Sequence, residues 1–273
     1  MIIAVVAIKG GVGKTTTTFC LAATLTRLGK KVLCIDLDPQ GDLSVSLGCD
    51  RGSSNPSIGE VLNAPRREQE KLIRTSILEI EGWTNLITPG DRLDYFEKEL
   101  AKGIGPDLRL RDALSTIQQE YDFILIDTPK GNGLLTTNAM VSCEEVLVPV
   151  QMEWLALNNL PMLLQQVSEI ADRLNPNLVL STLVPSQLKR TSLSNQIYQS
   201  ISNWNANDFL PHQEQKVWVS PPVHQLTLYA ELSEKAVPIY EHPGVQKKHL
   251  EPFETIAKQL AKQNKKRREA ARV

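Results

Sequence analysis

Short runs of consecutive apolar residues, rich in β-branched side chains, alternate along the chain with segments whose apolar positions recur every three or four residues. The runs at 2–8, 32–38, 83–89, 121–129, 145–151, 178–185 and 217–222 predict strands. Five of them end in an Asp, a Pro or both, the punctuation of a strand that stops at a loop. Between them, 17–28, 58–62, 66–78, 91–102 and 108–119 predict helices, and 48–56 is a loop of Gly, Ser and Asp. After the run at 145–151 a long helix reaches about residue 173, with Leu157, Leu160, Leu164, Val167, Ile170 and Leu174 as a core stripe. Strand–helix–strand order implies parallel pairing. The expected fold is therefore α/β, a mainly parallel twisted sheet with helices on both faces. Residues 1–250 read as a single domain, and 251–273 as a C-terminal helix with a basic tail.

Composition changes this picture little. The 273 residues are 41% hydrophobic and 22% charged, enough for one large core, and the net charge is −1. Nucleic-acid binding would need a local basic patch, since there is no global field. Cys20, Cys34, Cys49 and Cys143 show neither metal nor redox spacing. Cys20 and Cys34 fall on apolar elements, which suits reduced, buried thiols and a cytoplasmic location. No leader pattern and no run of 18 apolar residues is present, so the chain reads as soluble and unexported.

Chemistry enters at Lys9-Gly10-Gly11-Val12-Gly13-Lys14-Thr15-Thr16, between the first strand and the first helix. A glycine loop leading into a helix N-terminus turns backbone N–H groups and a partial positive charge toward a phosphate. Lys14 is placed for the β- and γ-phosphates of a nucleotide and Thr15 for Mg²⁺. The common pattern wants a glycine where Ile8 stands, and a second lysine, Lys9, follows instead. This is the deviant Walker A form. Asp36 and Asp38 end the second strand beside it, within Asp36-Leu37-Asp38-Pro39-Gln40-Gly41. Asp127 ends the central run Phe123–Ile126 as a Walker B carboxylate should, placed to hold Mg²⁺ through water.

These motifs resemble the ParA/MinD family of dimeric ATPases, which position DNA or other cargo in bacterial cells. The resemblance covers residues 1 to about 244. It is carried further by Pro149-Val150-Gln151 with Glu153 and Ala156-Leu157, by Arg190-Thr191 with Leu193-Ser194, and by Ala236-Val237-Pro238 and Pro243-Gly244. It implies an ATP-dependent sandwich dimer in which Lys9 reaches the partner's nucleotide. It implies that Asp38 orients or activates the attacking water, and that Asp36 supports the Mg²⁺ shell. Pro185, Ser186, Pro221 and Pro222 fall where the family holds the purine. ATP and Mg²⁺ are the implied cofactors. Non-specific DNA and an adaptor that speeds a slow ATPase are the implied partners, and the implied location is nucleoid-associated.

Two departures leave alternatives open. Where the family often has a DNA-contacting arginine, this chain has Gln225 to Glu231, with Leu228 nearest to it. Lys130 follows Thr128-Pro129 where the family has a proline or a small residue; it is either an extra phosphate or interface contact or a solvated loop lysine. The tail carries Lys258, Lys262, Lys265, Lys266, Arg267, Arg268 and Arg272 against one acid. It reads either as a salt-sensitive DNA surface or as a solvated helix end. A MinD-like membrane helix needs bulky apolar residues opposite the basic face, and past Leu260 there are only alanines and Val273. A metal-cluster carrier or reductase needs seam cysteines with a pairing motif that is absent. The cargo, whether plasmid, chromosome or a compartment such as a carboxysome, has no signature.

Overall fold

The computed structural model describes residues 1–211 and 213–270, apart from the side chains of 155–157. Leu157 of the core stripe and Arg272 of the tail thus lie outside the described residues. In chain order the elements are β1 (Ile2–Val5), α1 (Lys14–Arg27), β2 (Val32–Asp36), α2 (Asp42–Ser46), α3 (Ile58–Asn63), α4 (Arg66–Ser76), β3 (Leu78–Glu79), β4 (Asn85–Ile87) and α5 (Leu93–Leu100). They continue with α6 (Arg109–Leu114), β5 (Phe123–Asp127), α7 (Leu134–Ser142), β6 (Glu145–Gln151), α8 (Trp154–Arg173), β7 (Val179–Ser186), α9 (Ser192–Asn203), β8 (Trp218–Val219), α10 (Leu228–Lys235) and α11 (Lys247–Ala270).

One sheet gathers all eight strands in the order β3-β4-β2-β5-β1-β6-β7-β8. Every pairing is parallel except that of β3 with β4. The reason lies in the runs themselves. Each central strand alternates its apolar side chains between two cores: Ile2 and Ala4 face one and Ile3 and Val5 the other, as do Leu33 and Ile35 against Val32 and Cys34. Strands buried on both faces are what helices on both sides require. The edges depart most from expectation. β8 is two residues long, where 217–222 were expected, because Pro221 and Pro222 cannot donate to a ladder. The segment read as helix to 78 ends at Ser76, and Leu78–Glu79 turns back as an antiparallel edge.

The sheet positions the site through β1, β2 and β5. Their register sets Val5 opposite Asp127 and Asp36 opposite Asp127, so three strand ends meet at one rim. At the other end of the molecule α11 lies along α1. Phe253, Ile256, Ala257 and Leu260 are fully buried in the core that α1 shares. Each of the large ones is worth about 1.5–3 kcal/mol of burial. The helix starts at Lys247, before residue 251, and one side of its first half is core.

Candidate functional site

The phosphate loop owes its shape to two glycines. Gly11 and Gly13 have φ of +71° and +95°, angles that a side chain disfavours. Gly13 caps α1 without a side-chain bond, and the first turn of α1 holds no acidic residue. The helix N-terminus therefore keeps both its N–H groups and its partial charge for an anion. Lys14 is nearly buried, and with Gly10, Thr15, Thr16 and Asp38 it lines a cleft of about 800 Å³.

Behind the loop, the Thr15 hydroxyl donates to Asp127 Oδ2 at 2.7 Å, and Thr18 Oγ1 lies 3.4 Å from Oδ1. Asp127 is fully buried; burial first, then the charge of Asp36, pushes its carboxyl up to about 8. Asp36 is equally buried. Its Oδ2 accepts from the Ser44 amide at 2.8 Å and hydroxyl at 2.7 Å, and its Oδ1 from the Asp38 amide at 3.2 Å. Burial still raises it to about 7. Two hidden carboxyls beside a hydroxyl form a hard-oxygen set whose charge Lys14 offsets only in part, and Mg²⁺, which keeps its waters and binds phosphate oxygens, fits it. Asp38 stands at the rim, half-buried, with Oδ1 accepting from the Gln40 amide at 3.0 Å. Burial raises its carboxyl, while the Gln40 amide, Lys14 and Lys130 act the other way.

Lys9 is drawn aside within its own chain. Its ammonium donates to Gln151 Oε1 at 2.7 Å and to Glu153 Oε2 at 3.4 Å, and Lys189 pairs with the other Glu153 oxygen at 2.9 Å. Gln151 in turn donates to Gln187 at 2.9 Å. Gln187, with φ of +53°, donates to Gly11 O, and Ser186 Oγ donates to Val12 O at 2.6 Å. The end of β7 thus grips the loop. Pro185 accepts from the Val223 amide at 2.7 Å, which brings the Pro221-Pro222 segment alongside Pro185 and Ser186. Ser44, Gln187 and Lys189 escaped the sequence reading. They join the site from 8 to 176 positions away, with no spacing to announce them.

The basic tail is divided. Lys258, Lys262, Lys265 and Lys266 are exposed on the outer side of α11. Arg267 and Arg268 turn inward. Arg267 pairs with Glu145 at 3.1 Å and Glu144 at 3.8 Å; Arg268 pairs with Asp122 at 2.9 Å and donates to Tyr121 O at 3.1 Å. Cys20, Cys34 and Cys143 are buried and Cys49 half-buried, and burial pushes the Cys34 thiol up to about 12. Among the described residues no cluster of His, Cys, Asp and Glu could hold a metal on its own, and no helix is long and apolar enough to cross a membrane.

Three comparisons bear on this geometry. A family model described as an AAA domain matches residues 1–180. The sporulation initiation inhibitor protein Soj of Bacillus subtilis is 34% identical over 204 residues, 74% of this chain and 79% of Soj. The chromosome partitioning protein ParA of Myxococcus xanthus is 34% identical over 197 residues, 72% of this chain and 68% of that one. Among solved structures, cobyrinic acid a,c-diamide synthase of Mycobacterium smegmatis, with bound ADP and magnesium, superimposes with a TM-score of 0.77. It is 27% identical and covers 97% of this chain and 95% of its own.

Proposed function

The chain belongs to the ParA/MinD family of P-loop ATPases, and from that premise we propose that it is a ParA-type positioning ATPase. ATP and Mg²⁺ are its cofactors in this reading. ATP joins two copies into a sandwich dimer, the dimer binds DNA non-specifically, and hydrolysis, stimulated by an adaptor, releases it. Residues 1–250 form the ATPase unit, residues 251–273 carry its basic surface, and the protein works on the nucleoid in the cytoplasm. The observation that carries the reading is a rim that holds both Lys9 and Asp38 around one phosphate loop.

The mechanism rests on placement. Loop amides and Lys14 hold the phosphates, and the end of β7 with Pro221 and Pro222 flanks the purine. Mg²⁺, when bound beside Thr15, Asp127 and Asp36, supplies charge neutralisation at the phosphate oxygens. Asp38 accepts a hydrogen bond from the attacking water and fixes its line of approach to the γ-phosphate. Its raised pKa makes it a better acceptor than a solvated aspartate, yet orientation stays its main work. The partner's Lys9 completes the cation set, which requires Lys9 to leave Gln151 and Glu153. Transition-state charge is then met by fixed donors.

Two features favour DNA over the other surfaces weighed above. The apolar residues of α11 are spent on α1, which leaves no apolar face for a bilayer. The buried thiols also offer no cluster site. The test uses the Asp38→Ala protein with random duplex DNA, in ATP and in ADP, at two salt concentrations. Salt-sensitive binding with ATP alone is expected. Absence of binding in both states, with ATP still bound, would turn the reading to a membrane-associated or metabolic branch.

A further inference from the structure

The loop after β5 lays a lysine over the phosphate loop. Thr128 Oγ1 donates to Val5 O at 2.8 Å, and the Gly131 amide to Ala7 O at 3.4 Å, so the loop is tied to the strand that feeds the glycines. Gly131 turns with φ of +93°. Between these ties the stem of Lys130 passes over Gly10: a Cβ added there would lie 3.5 Å from Lys130 Cδ and 4.0 Å from its Cβ. Those are ordinary contact distances, so a side chain at position 10 would fill the space beneath the stem that the glycine leaves open.

That ammonium is free. Among the described residues Lys130 has no hydrogen-bond or ion-pair partner, although Asp94 and Glu97 line the same cleft. Lys9, the other added lysine, is held by two side chains. Position along the loop identifies what Lys130 meets. Ser186 and Gln187 grip Val12 and Gly11 on the purine side. Lys130 sits over Gly10, shares its cleft wall with Asp38 and Lys14, and is close enough to act on the Asp38 carboxyl. This is the side where the terminal phosphate and the attacking water belong.

We propose that Lys130 binds a non-bridging oxygen of the γ-phosphate of ATP within its own subunit, and so makes the site prefer ATP to ADP before any dimer forms. The proposal rests on the ATPase reading above and adds to it a third cation beside Lys14 and the partner's Lys9. A lysine in this role acts as a point charge.

The test is equilibrium titration of the full chain with a fluorescent non-hydrolysable ATP analogue and with fluorescent ADP. Both are used with Mg²⁺, at protein concentrations where sedimentation shows a monomer. Lys130→Ala should lose about tenfold in affinity for the ATP analogue, as a charge-assisted bond at a partly wet site implies, and keep its affinity for ADP within about twofold. Lys130→Arg should recover most of the loss. Equal losses for both nucleotides, no loss for either, or a defect confined to dimerisation would each overturn the assignment. An unmodified protein that binds neither nucleotide would instead remove the ATPase reading itself. Lys130 is exposed, so equal melting temperatures of the variants are expected and serve as the folding control.

Discussion

Asp36 and Asp127 are hidden carboxyls on matched positions of neighbouring strands, and their protonation sets a pH dependence that can be signed. Their folded values of about 7 and about 8 stand well above the ~3.9 of a solvated aspartate. A carboxyl raised on folding holds its proton more tightly in the folded state. Its stabilising share is complete below about pH 4 and is lost as the pH climbs through 7 to 8. Protein free of nucleotide and metal should therefore melt at lower temperature at pH 8 than at pH 5. Asp127→Asn removes the like charge and leaves an amide for the Thr15 hydroxyl. It should melt a few degrees above the parent at pH 8, each kcal/mol being worth about 2–4 °C, and close to it at pH 5. Thermal melts at the two pH values check this; equal destabilisation at both would show that Asp127 matters for packing and not for charge. The same residue marks how far sequence could reach. Asp127 was legible because four apolar residues must deliver it to a strand end. The Ser44 donors on Asp36 and the Gln151–Glu153 hold on Lys9 were not, because each depends on where a distant backbone comes to rest.

At the scale of the element, α11 shows why a charge count misleads. The seven basic residues in the last 16 read either as a DNA surface or as a solvated helix end. Folding splits them, because Glu145 begins a central strand at 0% exposure and Arg267 is the cation that meets it. Burial raises Glu145 and Arg267 opposes that rise. Arg267→Ala leaves a buried carboxyl unpaired and should cost about 1–3 kcal/mol, below the ~3–5 of a fully buried pair, because a third of Arg267 remains in solvent. Deleting the tail would thus confound loss of DNA contacts with loss of fold. The triple change Lys258→Ala, Lys262→Ala, Lys266→Ala avoids that, since all three are exposed and none is paired among the described residues. It should leave the melting temperature within about 1–2 °C, as surface changes do. Log affinity for DNA against log salt should become shallower by about 2–3, close to 0.9 per phosphate contact. An unchanged slope would place the DNA surface away from α11. A C-terminal helix was expected over 251–273; its docking on α1 needed the partner face, which no local pattern reveals.

Across the whole molecule the nucleotide cleft and the α11 surface proposed for DNA sit at opposite ends of the strands. The nucleotide cleft lies at the carboxyl ends of β1, β2 and β5, where Asp36 and Asp127 stop. The last turns of α11 lie at the amino ends: Asn264 donates to Asp122 O at 2.9 Å, just ahead of β5, and Arg267 meets Glu145 at the start of β6. Helix α1 spans the gap, from Lys14 in the cleft to Arg27, a rise of about 20 Å. Helix α1 and the first half of α11 share one buried core through Phe19, Leu25, Phe253, Ile256 and Leu260. In the proposed cycle the nucleotide state reaches DNA through the number of copies bound together: two α11 surfaces on one duplex gain by effective concentration what one cannot. Lys9→Ala tests this, because it removes the cation proposed to cross to the partner while sparing Lys14. It should bind ATP within about threefold of the parent, remain monomeric in ATP, and bind DNA equally weakly in ATP and ADP, at least tenfold below the ATP-bound parent. Sedimentation and DNA titration in the two nucleotides measure all three quantities. A monomeric variant whose DNA affinity still rose with ATP would mean that the signal passes through the subunit itself, along α1.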